Sequence, residues 1–390
     1  MVERISEGIL RMATFILGAG FSKPAGLPLG NQLFSEILTL ARLRRFDPVI
    51  NQDIEFFRKY IRQTRGIKIK DEDINLEDFV SYLDIEHYLT LEGKDHWSGE
   101  GNKSQMIIKN LIALLLYSYE ERINKEQWSL YEEFVSRLKP GDWIFTFNYD
   151  TIVEKALKRK NIPFRLFPYR SKKHNEGNFV SDDQDEIVLL KMHGSINWFD
   201  ESYSIESARL LKQKYKEEFE PINIVFKEPD DFGVQKLADD PGYEDSPLRH
   251  IHILDNMGRY LGRANFLLQV PLIISPSFNK LVYMNPLREF WYGFNQMGSF
   301  VERVGIIGFS LPEHDEYIRQ PLYQMMRNFQ YYKSIDKYNL KMVDYKKKHK
   351  EIRDYKRKYR FVNPRKTDYY FDGFDKNALD MLFENQKTWK

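Results

Sequence analysis

The chain predicts an α/β protein: a Rossmann-like parallel sheet with a large helical insertion and a C-terminal appendage. Three short apolar runs, each ending in small or polar residues, carry this reading. They are Thr14-Phe-Ile-Leu-Gly-Ala-Gly-Phe-Ser-Lys-Pro-Ala-Gly-Leu-Pro28, Ile144-Phe-Thr-Phe-Asn-Tyr-Asp150 and Val188-Leu-Leu-Lys-Met-His-Gly-Ser195. Helical stretches separate them, which is the pattern of a parallel sheet built from crossovers. In such sheets ligands bind beyond the carboxyl ends of the strands, so the residues just after each run are the candidates for a site.

Residues 9–22 are expected to form the first strand and a glycine turn. Gly18 and Gly20 can approach a ligand backbone-first, and a following helix would aim free N–H groups at a phosphate. The third glycine of the dinucleotide fingerprint is absent, because Lys23 stands there, and no ribose-binding acid lies at the usual distance. The pattern is therefore not that of a standard dehydrogenase, and a tight strand-to-helix turn without a ligand remains an alternative.

From Asn31 to about Lys139 apolar residues recur at helical spacing, as in Leu33, Ile37, Leu38 and Leu40 and again in Ile107, Ile108, Leu111, Leu114 and Leu115. Asn75 is placed to cap a helix, with Asp78 three residues later. Pro140-Gly141 ends this block, the second strand follows, and Thr151 onward reads as its crossover helix. Between Phe199 and Asn265 the sequence turns polar and irregular, predicting a second insertion or mobile cover. Two further strands are expected at Pro271–Ser275 and Val304–Ser310. The resulting division is a catalytic domain over 1–330, with core segments 9–30, 140–200 and 265–330 and insertions 31–139 and 200–264, followed by the appendage 331–390.

Composition agrees with a globular protein. The chain has 390 residues, 42% of them hydrophobic, with 28 Phe and 24 Tyr, enough to bury a sizeable core and too aromatic for a disordered chain. There is no cysteine, which removes disulfides, thiolate chemistry and sulfur-bound zinc. The first residues, Met1-Val-Glu-Arg-Ile-Ser-Glu, lack the basic start of a signal peptide, and no apolar stretch approaches the roughly 20 residues of a membrane helix. A cytoplasmic protein without membrane association is expected. The net charge of +2 is uneven: residues 341–366 hold twelve Lys/Arg against three Asp/Glu, a basic C-terminal run that suits nucleic acid, an acidic partner or simply a solvated helix face.

Folding of the sheet would gather Gly18, Ala19, Gly20, Ser22, Asn148, Asp150, His193, Ser195, Gly308 and Ser310 around one crevice. Each has a plainer use: His193 as a hydrogen-bonded core histidine, Asn148 and Asp150 as a turn or cap before Thr151, Ser310 and Asp315 as caps of a helix starting near His314. His250 and His252 lack the carboxylate or cysteine support of a metal site.

The four motifs Gly18-Ala-Gly-Phe-Ser22, Asn148-Tyr-Asp150, Lys191-Met-His193-Gly-Ser195 and Gly308-Phe-Ser-Leu-Pro312, in this order, resemble the sirtuin-like domain, a Rossmann-type NAD-consuming fold. The protein-deacylating branch carries a four-cysteine zinc module and an Ile-Pro-Asp-Phe-Arg stretch, where this chain has no cysteine and Leu27-Pro-Leu-Gly-Asn31. The chain is more similar to bacterial antiphage effectors that hydrolyse NAD, of the stand-alone type paired with a HerA-family hexameric ATPase. The resemblance implies an NAD glycohydrolase that releases nicotinamide and ADP-ribose, acts in abortive infection and forms a homo-oligomer. NAD would be the substrate, without zinc. Breaking the N-glycosidic bond leaves an oxocarbenium-like ribose, so the site must hold the ribose, release the amide and deliver water.

In that reading Asn148 and His193 are catalytic. His193 serves as general base, its reference pKa lying near working pH, and Asn148 orients a ribose hydroxyl or the water. Asp150 resembles the residue that binds the nicotinamide carboxamide, Gly18 to Ser22 would cradle the diphosphate, Ser195 joins the crevice, and Gly308 and Ser310 match the segment near the adenosine ribose. Two alternatives stand beside it: a non-catalytic NAD- or ADP-ribose-binding scaffold of an ATPase complex, and a contribution to nucleic-acid processing by the assembled complex. The helical block and exposed aromatics near Tyr331, Tyr332, Tyr369 and Tyr370 are expected at oligomer or partner contacts, or in core packing.

Overall fold

The computed structural model describes residues 12–91, 101–174, 177–181, 185–216, 223–263, 270–312, 315–331 and 340–384. The expected start of the first strand at 9–11, the N-terminal Met1 to Glu7, His314 and Tyr332 lie outside these residues.

Strand β1, Ala13–Leu17, is buried along its whole length. Strands β2 (Trp143–Thr146), β3 (Phe164–Arg165) and β6 (Ile187–Lys191) lie to one side of it, and β10 (Arg303–Ile307), β11 (Leu340–Val343) and β12 (Thr367–Tyr370) to the other. The order is β12-β11-β10-β1-β2-β6-β3 and every pairing is parallel. Continuous apolar strands suit this position, because crossover helices cover both faces of a parallel sheet. The chain builds outward from β1 in one direction and later returns to its opposite side, so the topology reverses between β1 and β10, where an open α/β sheet forms its ligand crevice.

Register makes that crevice level. Leu17 pairs with Thr146 and with Ile307, and Thr146 pairs with Lys191. The residues after these four positions therefore leave the sheet at one edge, which is how motifs far apart in sequence meet.

Helices α1 (Gly30–Leu43), α2 (Asp47–Arg65), α3 (Leu76–Tyr88), α4 (Lys103–Glu120) and α5 (Lys125–Ser136) fill the space between β1 and β2 in the chain. Asn75 caps α3 as expected, its Oδ1 accepting from the amides of Glu77 and Asp78. Helix α6, Ile152–Arg159, follows β2. Strands β4 (Arg170–His174) and β5 (Gly177–Ser181) form a hairpin between β3 and β6.

The region 200–264 has more order than its polar sequence suggests. It holds helix α7 (Glu201–Tyr215), strands β8 (Val234–Lys236) and β9 (Ile251–Leu254), and helix α8 (Met257–Arg263). Strands β8 and β9 join β7 (Trp198–Asp200) in a small antiparallel sheet. Within it His252 turns Nδ1 to the His250 carbonyl at 3.1 Å.

Two expectations are corrected. Pro271–Ser275 is not a sheet strand: only Ile273 bridges, to Gly194. The segment is extended and pairs with the loop after β6 instead, Ser195 N donating to Leu272 O at 3.0 Å and Ile274 N to His193 O at 2.9 Å. The C-terminal segment is not a mere appendage, since β11 and β12 extend the central sheet. After helix α9 (Glu316–Tyr331) come β11, α10 (His349–Lys358), β12 and α11 (Lys376–Phe383). Phe374 and Phe383 pack with Phe15, Phe21 and Phe134 in one aromatic cluster on the sheet face. The basic run misled here because its charges line one side of a helix whose other side buries Tyr355, with Tyr359 buried just past its end.

Candidate active site

The turn after β1 is shaped by a second loop. Gly18 N donates to Ile307 O at 2.9 Å and Gly20 N to Gly308 O at 3.0 Å. A Cβ on Gly20 would stand 2.6 Å from Gly308 Cα, and one on Gly308, whose φ is +62°, would stand 2.3 Å from the carbonyl carbon of Gly20. The glycines exist because two backbones meet there. Gly18, Ala19 and Ser22 line the cavity above; Gly20 does not, which corrects its expected contact with a ligand.

The end of β2 locks onto this turn. Asn148 Nδ2 donates to Gly18 O at 2.9 Å and to Ser22 Oγ at 3.1 Å, and Ser22 Oγ donates to Asp150 Oδ2 at 2.7 Å. With both amide protons spent on protein, Oδ1 of Asn148 is the atom left to meet a ligand hydroxyl or a water. Asp150 Oδ1 accepts from Ile152 N at 3.2 Å, so the residue also caps α6. Burial, and then the charge of Glu120, push its carboxyl up to about 6. Lys191, fully buried, braces the same turn: its Nζ donates to the carbonyls of Asp150 and Tyr149 and pairs with Glu154 at 2.7 Å.

Two residues beyond Lys191, His193 reaches the cavity wall. Its Nε2 lies 2.6 Å from Tyr317 OH, and the ring also hydrogen-bonds the Phe147 carbonyl. These partners assign a neutral ring that donates from Nδ1 and accepts at Nε2. Burial, and secondarily Lys280, depress its pKa to about 3. Ser195 lies behind the histidine, fully buried, with Oγ donating to Asn197 Oδ1 at 2.7 Å. It does not line the cavity, so its expected place in the crevice is corrected as well.

The cavity has a volume of about 620 Å³, within the range of sites that enclose a ligand of nucleotide size. Its core wall carries Gly18, Ala19, Ser22, Asn148, Asp150, His193, Gly308 and Ser310, and the opposite wall comes from the helical insertion, with Phe34, Asn75 and Glu77. Phe147 stacks on Phe309 at 4.7 Å and meets His193 edge-on at 5.1 Å. Sequence reasoning missed Lys280, Glu77 and Tyr317, and read Asp315 only as a candidate helix cap. Lys280 Nζ lies 2.8 Å from Asp315 and 3.7 Å from Glu77. These residues lie outside the four motifs, and buried charge marks only Lys280 and Asp315. Among the described residues no group of three or more His, Asp or Glu could hold a metal ion, and no helix is long and apolar enough to cross a membrane.

A family model described as a SIR2-like domain matches residues 142–229, the stretch that carries β2, Asn148, Asp150, Lys191 and His193. No curated protein matches the chain. Among solved structures, the chain is similar to Sir2Tm bound to a propionylated peptide, at 11% identity over 98% of this chain and 95% of that one, with a TM-score of 0.29. It is also similar to a structure titled "The Structural basis of Sirtuin Substrate Affinity", at 11% identity over 98% of both chains, with a TM-score of 0.30. The fold is a Rossmann-like α/β sheet, and its residues 142–229 are similar to a SIR2-like domain.

Proposed function

We propose that this chain is an NAD glycohydrolase. What supports the reading above all is the meeting of Asn148 and His193 at one nucleotide-sized cavity, beside the turn after β1, in the stretch that matches a SIR2-like domain. Ligand binding alone does not demand an imidazole and a side-chain amide lining the same cavity.

In this reaction water adds through its oxygen to the ribose C1′ while the C1′–N bond breaks. Nicotinamide leaves with the bonding pair, which cancels its pyridinium charge, and the water's proton passes to His193. Asn148 Oδ1 orients the water or a ribose hydroxyl. Gly18, Ala19 and Ser22 hold the diphosphate, Asp150 receives the carboxamide, and Gly308 and Ser310 flank the adenosine ribose. His193 can act only when Nε2 is free of Tyr317, so the geometry described corresponds to a resting form.

In the cell the chain would be a cytoplasmic antiphage effector that depletes NAD when activated, as a homo-oligomer working with a HerA-type ATPase. The deciding measurement is nicotinamide release from NAD by the purified chain, alone and with that ATPase, alongside His193→Ala and Asn148→Ala. Turnover that vanishes in both variants supports the reading. Tight NAD binding without turnover under either condition moves the protein to the scaffold alternative.

A second reading, polyanion binding, is favoured by the outward face of α10, where Lys350, Arg353, Lys356 and Arg357 are all exposed.

A further inference from the structure

We propose that Tyr317 is a positioning residue that sequesters His193 in the resting chain, and that the Glu77, Lys280 and Asp315 clasp ties this hold to the helical insertion. The inference rests on His193 being the base of the reaction above.

Both ring nitrogens of His193 are engaged by protein, Nε2 by Tyr317 and the other by the Phe147 carbonyl. Tyr317 does not line the cavity. The lone pair that must take a proton therefore points out of the cavity, at a phenol. Burial holds the Tyr317 hydroxyl far above its ordinary pKa, so it keeps its proton and donates it to the imidazole. No second acceptor on the ring is left for water or a ribose hydroxyl.

Tyr317 stands in the first turn of α9, two residues after Asp315. Asp315 is bound to Lys280 at 2.8 Å, both side chains about nine-tenths buried or more, and Lys280 Nζ also lies 6.0 Å over the Tyr317 ring. Lys280 Nζ also lies 3.7 Å from Glu77, which stands in the first turn of α3 and is 36% exposed. Glu77 belongs to the inserted helices and the other three belong to the core. A displacement of α3 alters the charge balance on Lys280, hence the seat of Asp315 and the start of α9, and releases the phenol. The clasp thus couples the wall of the cavity built by the helical insertion to the atom that performs the chemistry.

The test reads the imidazole directly, so it does not depend on NAD being the substrate. The intact chain is treated with diethyl pyrocarbonate, and carbethoxylation of His193 is followed by peptide mass spectrometry in wild type, Tyr317→Phe and Glu77→Gln, with nicotinamide release measured in parallel. Tyr317→Phe keeps the ring, and Glu77→Gln changes a partly exposed side chain. Faster modification is expected in both, with turnover raised roughly three- to tenfold, the population shift that follows loss of one hydrogen bond. Unchanged reactivity in Tyr317→Phe overturns the proposal. Faster modification with lost turnover overturns it too, since Tyr317 then serves the chemistry. A response in Tyr317→Phe alone removes the clasp and leaves a local cap. If no form turns over NAD, glycohydrolysis fails while the reactivity still decides the latch.

Discussion

The side-chain amide of Asn148 donates to the carbonyl of Gly18 across 2.9 Å, tying the end of β2 to the turn after β1. The same nitrogen reaches Ser22 Oγ at 3.1 Å, so one amide fixes the turn and aims its own oxygen at the cavity. Asn148→Ala removes both bonds, at a cost of about 1–3 kcal/mol for the buried groups left unpaired. Asn148→Asp, nearly the same size, sets an acceptor against the Gly18 carbonyl and should cost at least as much. Turnover is expected to fall about a hundredfold or more in each, the scale of a misplaced reacting group. Denaturant unfolding and nicotinamide release check the two effects separately. Full activity in Asn148→Asp would show that the amide does not set the geometry.

Gly20 and Gly308 serve packing before ligand. Their backbones approach so closely that a Cβ on either meets main-chain atoms of the other loop at 2.6 Å or less, and Gly308 also has φ +62°. Gly20→Ala should cost roughly 1–3 kcal/mol through overpacking, and Gly308→Ala more, because strain adds to the clash. Urea midpoints measure this. An unshifted midpoint in Gly308→Ala would contradict the contact.

Asp150 ties the site to pH. Its carboxyl is raised in the folded chain to about 6, chiefly by burial, while the unfolded value is near 3.8. A raised folded pKa means that the folded state holds the proton more tightly, so this contribution to stability is full below about 4 and is lost as pH climbs through about 6. The loss is on the order of 3 kcal/mol for a shift of this size. Asp150→Asn cannot ionise, so its stability relative to wild type should increase between about pH 4 and 7. Parallel pH dependences for the two proteins would mean that the carboxyl titrates normally.

His193 shows how far sequence reading reached and where it stopped. Strands β1, β2, β6 and β10 were legible because strands buried in a parallel sheet are short apolar runs, and the glycine, asparagine and histidine tips mark where each ends. Register was not legible, yet it alone levels Leu17, Thr146, Lys191 and Ile307. Ser195 was misplaced because a loop turn, not a strand end, decides which way it faces. Gly20 was read as a ligand contact because a glycine needed for a neighbouring backbone looks the same as one needed for a phosphate. Tyr317 and Lys280 stayed invisible, since hydrogen bonds that span 124 residues to His193 and 35 residues to Asp315 leave no local pattern. The strands β11 and β12 were hidden by the basic residues around them, which obscured short apolar runs such as Leu340–Val343.

The basic face of α10 makes the last prediction. Lys350, Arg353 and Arg357 are exposed, while Tyr355 is 3% exposed against the core, so the charges can be altered without touching packing. Like charges at this spacing repel one another along a helix, and a polyanion would relieve that repulsion. If α10 engages phosphates, binding of a short DNA duplex should weaken steeply with salt, with a logarithmic slope of about −0.9 for each phosphate neutralised. The triple variant Lys350→Gln, Arg353→Gln and Arg357→Gln should reduce that slope by about two to three while leaving thermal stability and nicotinamide release unchanged. Fluorescence anisotropy across a salt series measures it. An intact slope in the triple variant, or no binding by wild type at low salt, would leave α10 a solvated helix face.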